Sequence, residues 1–381
     1  MRVLVVPKWY PWPDRPVFGS FCREHARALS TRHDVVVLAS DAVRAPGFPA
    51  FQLTDTVEDG LRTIRVRYRR PRLRPAALGF QLAGMLVALL RLRRAGWRPD
   101  VVHAHVYSAA LAALVLARLS RAPLVVSEHY TGFQRGLVAG YERRLARCAF
   151  HRADLVAPVS RDLARQIQAL APRARARVVA NVVDTDVFHP PQTTSREEPD
   201  GRPARLLTVA ALAAKKGHAD LLEAFATVAR ERPAVLELVG DGEERRALEA
   251  LAERLGIAAA VRFRGELPRE AVAALMREAD LFVLPSHFEN LPVVLIEAMA
   301  SGLPFVATAV GGVPELLEGA PPGAGLLCPA RDPRALAEAI RRGLDAAGGP
   351  VPGLAAHARA RFGRDAIAQA WSDVYAQLVA A

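Results

Sequence analysis

The 381 residues, 51% of them hydrophobic, exceed one ordinary domain and can bury two separate cores. Three cysteines, Cys22, Cys148 and Cys328, stand far apart, which excludes a disulfide framework and any cysteine-based metal or redox motif. The formal charge of +12 belongs to the first half: residues 1–200 hold 31 Lys+Arg against 17 Asp+Glu, and residues 201–381 hold 20 against 22.

RVLVV (2–6) reads as a strand. It is too short for the core of a signal peptide, and turn chemistry follows at once, so a cytoplasmic protein is expected. The loop after it carries Trp9, Tyr10, Trp12 and Phe18, which either wall an acceptor site or pack the loop itself. Gly19 stands just ahead of a helix, where the missing Cβ lets backbone approach a ligand. No G-x-G-x-x-G occurs at this point, so a nicotinamide dinucleotide site is not expected.

DVVVLA (34–39), RTIRVRY (62–68), VVHAH (101–105), PLVVSE (123–128), LVAPV (155–159) and RVVA (177–180) read as further strands, with helix-like runs between most of them. The most apolar run, 78–90, is shorter than the ~20 residues that span a bilayer. Basic runs at 65–75 and 91–98 flank it. An apolar helix with basic ends suits peripheral docking through 65–98 on an anionic membrane surface, and a solvated basic face around a core helix explains the pattern equally. Zinc-finger spacing and aromatic-interleaved basic motifs are absent, so nucleic acid is not an expected partner.

His103 and His105 lie near a strand end with no third ligand at metal spacing, which points to a structural or acceptor-side role. Glu128 and His129 end the next strand, where the cleft of a parallel sheet opens, and His129 is the catalytic candidate of the first half. Asp184 and Asp186 sit beside a linker and are not read as a metal site.

The second half repeats the rhythm in RLLTVA (205–210), AVLELVG (234–240), VRFRG (261–265), LFVLP (281–285), PFVAT (304–308) and LLCP (326–329). Continuous apolar strands alternating with helices predict two doubly wound α/β domains with parallel sheets. The expected division is 1–186, a Pro- and charge-rich linker at 187–203, a second domain at 204–364 and a last helix at 365–381 with Trp371 and Tyr375 on one apolar stripe. Ligands of such sheets bind beyond the strands' carboxyl ends, so an interdomain cleft is the expected active site.

Only three lysines accompany 48 arginines, and two of them, Lys215 and Lys216, precede Gly217 just after RLLTVA. A compact ammonium at that position suits a phosphate. Gly240 in GDGEERRAL permits a tight strand-to-helix turn. In SHFENLPVVLIEAMASGLPFVATAVGGVPELL (286–317), Asn290 is read as an N-cap, Pro292 as the first helical turn and Gly302 as the stop. Glu289 then stands at the helix mouth and Glu297 inside the helix. N–H groups near Leu291, Val293 and Val294 attract an anion such as a diphosphate, while the two carboxylates accept hydrogen bonds from sugar hydroxyls on either side of it.

Together these motifs resemble the retaining glycosyltransferases of GT-B architecture, family 4, with two Rossmann-like domains. The second-half motifs TVAALAAKKGHADLLEAF, LVGDGEERRALE, FRGELP, ADLFVLPSHFENLPVVLIEAMASGLPFVAT and GGVPELL follow the family's order and spacing; Gly19, His-x-His, SEHYTGF and NVVDTDVF match more loosely. The resemblance implies Lys216 on the donor diphosphate, Glu289 on the transferred sugar, Glu297 on the nucleotide ribose, the Gly19 N–H on the phosphate and His129 facing the sugar. Asn290, Leu291, Pro292 and Gly240 would complete the donor site. Where the family has Gly-Arg-Leu, this chain has Ala210, Ala211 and Leu212, and Lys215 is the candidate replacement for the missing arginine. The implied reaction moves a hexose from a nucleoside diphosphate sugar to a hydroxyl without a metal or other cofactor, and the last helix crosses back to the first domain. A glycan or lipid-linked acceptor at the inner membrane face is expected. A sugar-nucleotide epimerase on the same fold, and a nonenzymatic membrane or nucleic-acid binder, are the alternatives.

Overall fold

The computed structural model describes residues 1–15, 17–45, 47–71, 74–191, 201–346 and 349–380. Residues 192–200 of the expected linker, and residues 72 and 73 of the basic run 65–75, lie outside these. The chain divides into two compact units, one of Met1–Val182 with Arg364–Ala381 and one of Val183–Gly363.

The first unit runs β1 (Arg2–Pro7), α1 (Ser20–Ser30), β2 (Asp34–Val43), β3 (Phe51–Glu58), β4 (Leu61–Arg69), α2 (Arg74–Arg94), β5 (Val101–His105), α3 (Tyr107–Ser120), β6 (Leu124–Glu128), α4 (Gly140–Arg152), β7 (Leu155–Pro158) and α5 (Arg161–Leu170). Its sheet has the order β3-β4-β2-β1-β5-β6-β7. All neighbours are parallel except β3 and β4. In β1, Val3 pairs with Val35 on one side and Val101 on the other, and Val3–Val6 are fully buried. A strand paired on both edges and covered on both faces has no polar side to show, hence its unbroken apolar run.

Edge strand β3 escapes the apolar pattern because most of it is exposed. It is tied to β4 by Arg62–Asp55 and Arg65–Glu58 ion pairs. Asp59 and Gly60, both at positive φ, make the two-residue hairpin between the strands. RVVA, expected as a strand, forms none: Ala176 makes one isolated bridge to Val156, and Val179 N donates to Pro158 O. Helix α2 is longer than its apolar run, and Ala76–Arg94 is long and apolar enough to cross a membrane by length and composition. It nevertheless lies on the sheet. Met85, Ala88, Leu89 and Leu92 are buried, Gln81 donates to Ser40 Oγ, and a Cβ at Gly84 would meet Val66 Cγ1 at 2.4 Å.

The second unit runs β8 (Ala204–Val209), α6 (His218–Glu231), β9 (Ala234–Val239), α7 (Arg245–Arg254), β10 (Val261–Gly265), α8 (Arg269–Glu278), β11 (Leu281–Leu284), α9 (Val293–Ala300), β12 (Phe305–Thr308), β13 (Gly325–Cys328), α10 (Pro333–Ala346) and α11 (Leu354–Phe362). Its sheet is parallel throughout, in the order β10-β9-β8-β11-β12-β13. The order reverses between β8 and β11, and the carboxyl end of the sheet at such a reversal is where doubly wound folds bind ligands.

The last helix, α12 (Arg364–Val379), belongs to the first unit. Trp371 and Tyr375 are fully buried in that unit's core, Tyr375 OH lies 2.7 Å from His103 Nδ1, and Arg364 pairs with Glu24.

Candidate functional site

In the second unit, the loops after β8 and β11 meet at the reversal of strand order. The first ends in a short 3₁₀ turn, Ala214–Lys216, closed by Gly217 at φ 68°. A Cβ on Gly217 would lie 2.1 Å from Pro285 O, so only glycine lets the two loops approach this closely. His287 N donates to Lys215 O at 2.9 Å, and His287 Nε2 lies 2.7 Å from Asp220 Oδ2. The result places Lys216 Nζ 2.5 Å from Glu289 Oε1, which also accepts from Ser286 Oγ at 2.8 Å. Thr308 Oγ1 donates to Ser286 O and fixes that segment from β12. His218 follows Gly217, buried; burial first, and Lys216 second, lower its pKa to about 4, so it adds no positive charge at neutral pH.

Helix α9 starts at Val293, with Pro292 in the cap position at φ −69°, ψ 119°. Asn290 is not the N-cap expected from its residue type. Proline needs no N–H partner there and pushes Leu291 toward extended backbone, so the helix opens after the proline. The buried Asn290 instead accepts a bond at its carbonyl from Gly312 N at 2.8 Å. Glu297 lies within α9, with Oε1 3.9 Å from Arg269 Nη2. Gly240, at φ 129°, presses on the first loop: a Cβ there would lie 2.0 Å from Ala210 O. Leu212 N donates to Asp241 O, and Ala211 between them is exposed. The turn that would carry the family's arginine is therefore built, with a methyl group at its tip.

In the first unit the residues singled out from sequence separate. Tyr10 and Trp12 are core, not an acceptor wall: they are 3% and 4% exposed, and the Arg65 guanidinium stacks over both rings. Trp9 and Phe18 do line a hollow on this unit. Gly19, at φ 74°, is needed by the loop itself, because a Cβ would lie 2.4 Å from the Trp9 carbonyl carbon.

His103 is buried, held by Tyr375 OH on one side and Ser127 Oγ on the other, both at 2.7 Å. His105 Nδ1 lies 3.1 Å from His129 Nε2, and Asn181 Oδ1 lies 3.1 Å from His129 Nδ1 and 3.4 Å from His25 Nε2. A consistent proton assignment has His129 Nδ1–H donating to Asn181 and His105 Nδ1–H donating to His129 Nε2. Both His129 nitrogens are thus engaged within the unit. Burial lowers the pKa of His25 to about 4 and of His103 to about 3, and lowers His105 and His129 well below the usual range. The four rings are neutral at pH 7. Among the described residues no group of three or more His, Cys, Asp or Glu is placed to hold a metal.

Sequence reading missed Glu128 as a structural cap. Its carboxylate accepts from Tyr107 N, His129 N and Tyr130 N, each at 2.9 Å, closing the N-terminus of α3 where Val106 sits at φ 73°. Burial pushes its pKa up to about 7 against the three N–H groups, which favour the charged form. The signal was available: an acidic residue at a strand end beside a helix start that has no capping side chain of its own.

Residues 192–361 match the model of the glycosyl transferases group 1, and residues 19–187 match that of glycosyltransferase family 4. Glycogen synthase of Mycobacterium tuberculosis is 31% identical over 371 residues, covering 91% of this chain and 86% of that protein. The 2-deoxystreptamine N-acetyl-D-glucosaminyltransferase of Streptomyces fradiae is 32% identical over 328 residues, 78% of this chain and 76% of its own. Among solved structures, sucrose-phosphate synthase from Thermosynechococcus elongatus superposes with a TM-score of 0.78 at 22% identity over all of both chains. Anabaena HepE in complex with UDP-glucose does so with 0.74 at 19% identity, over 99% of this chain and 100% of HepE. Two Rossmann-like units with these likenesses are the GT-B fold, and the chain belongs to the group 1, family 4 glycosyltransferases.

Proposed function

We propose that this enzyme transfers a hexose from a nucleoside diphosphate sugar to a hydroxyl of a glycan or lipid-linked glycan, with retention at the anomeric carbon and without a metal. The observation that carries the reading is the Lys216–Glu289 pair at the strand-order reversal of the second unit, beside the opening turn of α9. Lys216 has three N–H donors, so it can keep Glu289 and still offer one to a diphosphate oxygen. The N–H groups of Val293 and Val294, which open α9, add partial positive charge. Glu289 then accepts from a hydroxyl of the sugar being transferred, and Glu297 from the ribose. Lys215 is offered as the second cation in place of an arginine at Ala211.

The acceptor oxygen forms the new bond to the anomeric carbon on the face that the diphosphate leaves. The bonding pair departs with the diphosphate, and the acceptor proton passes to one of its oxygens. The protein supplies position and charge stabilisation for the leaving group. This needs neither a metal nor a protein nucleophile. Acceptors are assigned to the first unit, and the basic residues between 65 and 98 support a cytoplasmic enzyme that works peripherally at the membrane's inner face.

The test is incubation with a panel of nucleoside diphosphate hexoses, with and without glycan acceptors, in the presence of a chelator. Product anomers are assigned by NMR. An α-linked product from an α-linked donor is expected. An inverted product, or activity abolished by chelation, overturns the mechanism; release of an epimerised sugar from the donor without any acceptor makes the enzyme an epimerase.

A further inference from the structure

The hollow on the first unit has a volume of about 1660 Å³, well beyond the ~300–1,000 Å³ of an ordinary small-ligand pocket. Its lining is of mixed chemistry. Lys8, Arg44 and Arg70 follow the carboxyl ends of β1, β2 and β4, which are neighbours in the sheet. Val43 pairs with Arg69, and Arg70 N donates to Val43 O, so Arg44 and Arg70 leave adjacent strands side by side. Arg69 lies against α2, its guanidinium 5.1 Å from the Phe80 ring centre.

Three carboxylates also line the hollow, Asp14, Asp41 and Glu142. Asp14 and Asp41 pair with Arg15, and Asp14 also lies 3.9 Å from Arg67. Glu142 accepts from Tyr107 OH on the α4 side. Among the described residues, Lys8, Arg44, Arg69 and Arg70 make no ion pair with these carboxylates, and all four are exposed. Apolar side chains line the hollow as well: Leu78 of α2, 49% exposed, and the half-buried Leu111 and Leu145. Cations without ion-pair partners and apolar side chains lining one space, larger than a monosaccharide needs, match a ligand with an anionic head and a hydrocarbon chain.

We propose that this hollow takes an acceptor carrying a phosphate or diphosphate on an apolar chain, with Arg44, Arg69, Arg70 and Lys8 holding the phosphate and Leu78, Leu111 and Leu145 holding the chain. The proposal rests on the transferase reading above and names the acceptor class it leaves open. Arg44 and Arg70 are its specificity-determining residues. They bind the acceptor's phosphate and take no part in the bond that breaks.

The test uses the full chain and three soluble probes, farnesyl diphosphate, farnesol and inorganic pyrophosphate, with binding followed by calorimetry. Farnesyl diphosphate is expected to bind at least ten-fold more tightly than either part alone, and more weakly as salt rises. The Arg44→Gln/Arg70→Gln double variant should lose ten-fold or more of that affinity, while Arg98→Gln, outside the hollow, should keep it. Equal binding of farnesol and farnesyl diphosphate overturns the phosphate role. Equal binding of inorganic pyrophosphate and farnesyl diphosphate overturns the apolar role, and attachment to phosphatidylglycerol vesicles with no binding of farnesyl diphosphate makes the cluster a membrane-surface contact instead. The probe comparison on the unaltered chain stands whether or not the double variant folds. Nucleotide-sugar binding, measured by thermal shift on the same samples, separates the failures: if it persists while farnesyl diphosphate does not bind, only this inference falls; if it is absent, the donor reading falls first.

Discussion

Lys216 Nζ and Glu289 Oε1 lie 2.5 Å apart although 73 residues separate them in the chain, and their side chains are only 18% and 7% exposed. A pair so far out of water is held by its environment: removing one partner strands the other charge. The same isolation makes each charge effective on a ligand, because solvent screens it little.

Lys216→Ala should lower kcat/KM by roughly 10²–10³, the loss typical of one preorganised charge-stabilising donor. Stability should fall by roughly 2–3 kcal/mol, below the 3–5 of a wholly buried pair. Combining it with Glu289→Gln should recover part of the stability and none of the activity, read by urea denaturation and initial rates. Recovery of activity in the double variant would mean that the pair serves folding alone.

Glu297→Ala should raise the donor KM by about ten-fold and leave kcat within about two-fold, as expected for a contact made equally in ground and transition states. Steady-state kinetics over a donor titration decides it. A fall in kcat with KM unchanged would place Glu297 in the chemistry instead of on the ribose.

Gly240→Ala and Gly217→Ala should each destabilise the second unit by several kcal/mol, since the new Cβ would meet a carbonyl oxygen at 2.0 or 2.1 Å from a positive-φ backbone. Thermal denaturation checks this; a melting temperature within 2 °C of the parent, about the shift of ~1 kcal/mol or less in a chain of this size, would show that the loops can part.

His25 and His103, near 4 and 3 in the folded protein and about 6.5 unfolded, make stability depend on pH. Their folded values are depressed, so the folded state refuses protons that the unfolded chain accepts. Stability should be flat above pH 6.5 on their account. It should fall by about 1.4 kcal/mol per pH unit for each ring as the pH drops from there toward 4. Glu128, raised by burial to about 7, works the other way and favours the fold as it protonates below 7. Urea denaturation between pH 7.5 and 5, with His103→Asn as control, should show the slope reduced in the variant. An unchanged slope would rule out His103 as a contributor.

The central strands and the Lys-Lys-Gly and Glu-Asn-Leu-Pro segments were legible because their signals are local. A buried parallel strand must be apolar throughout, and a phosphate-binding loop needs its residue types in one short stretch. Edge strand β3 was not, because Asp55 and Glu58 find their partners across the hairpin on Arg62 and Arg65. The clue to it was local all the same, the Asp59–Gly60 turn. The place of Tyr10 was not legible for the opposite reason: a loop aromatic looks available in sequence, and only the Arg65 guanidinium over its ring reveals a core residue.

The sequence by itself determined the two alternating α/β halves and the family, because hydrophobic period and short-motif spacing depend on neighbours along the chain. Only tertiary structure decided that Lys216 meets Glu289, that both nitrogens of His129 are engaged by His105 and Asn181, and that Lys8, Arg44 and Arg70 line one hollow. Each of these joins segments that a strand order, and not a sequence interval, brings together. Charge and hydrogen bonding act over a few ångströms of space, whatever the length of chain between the groups.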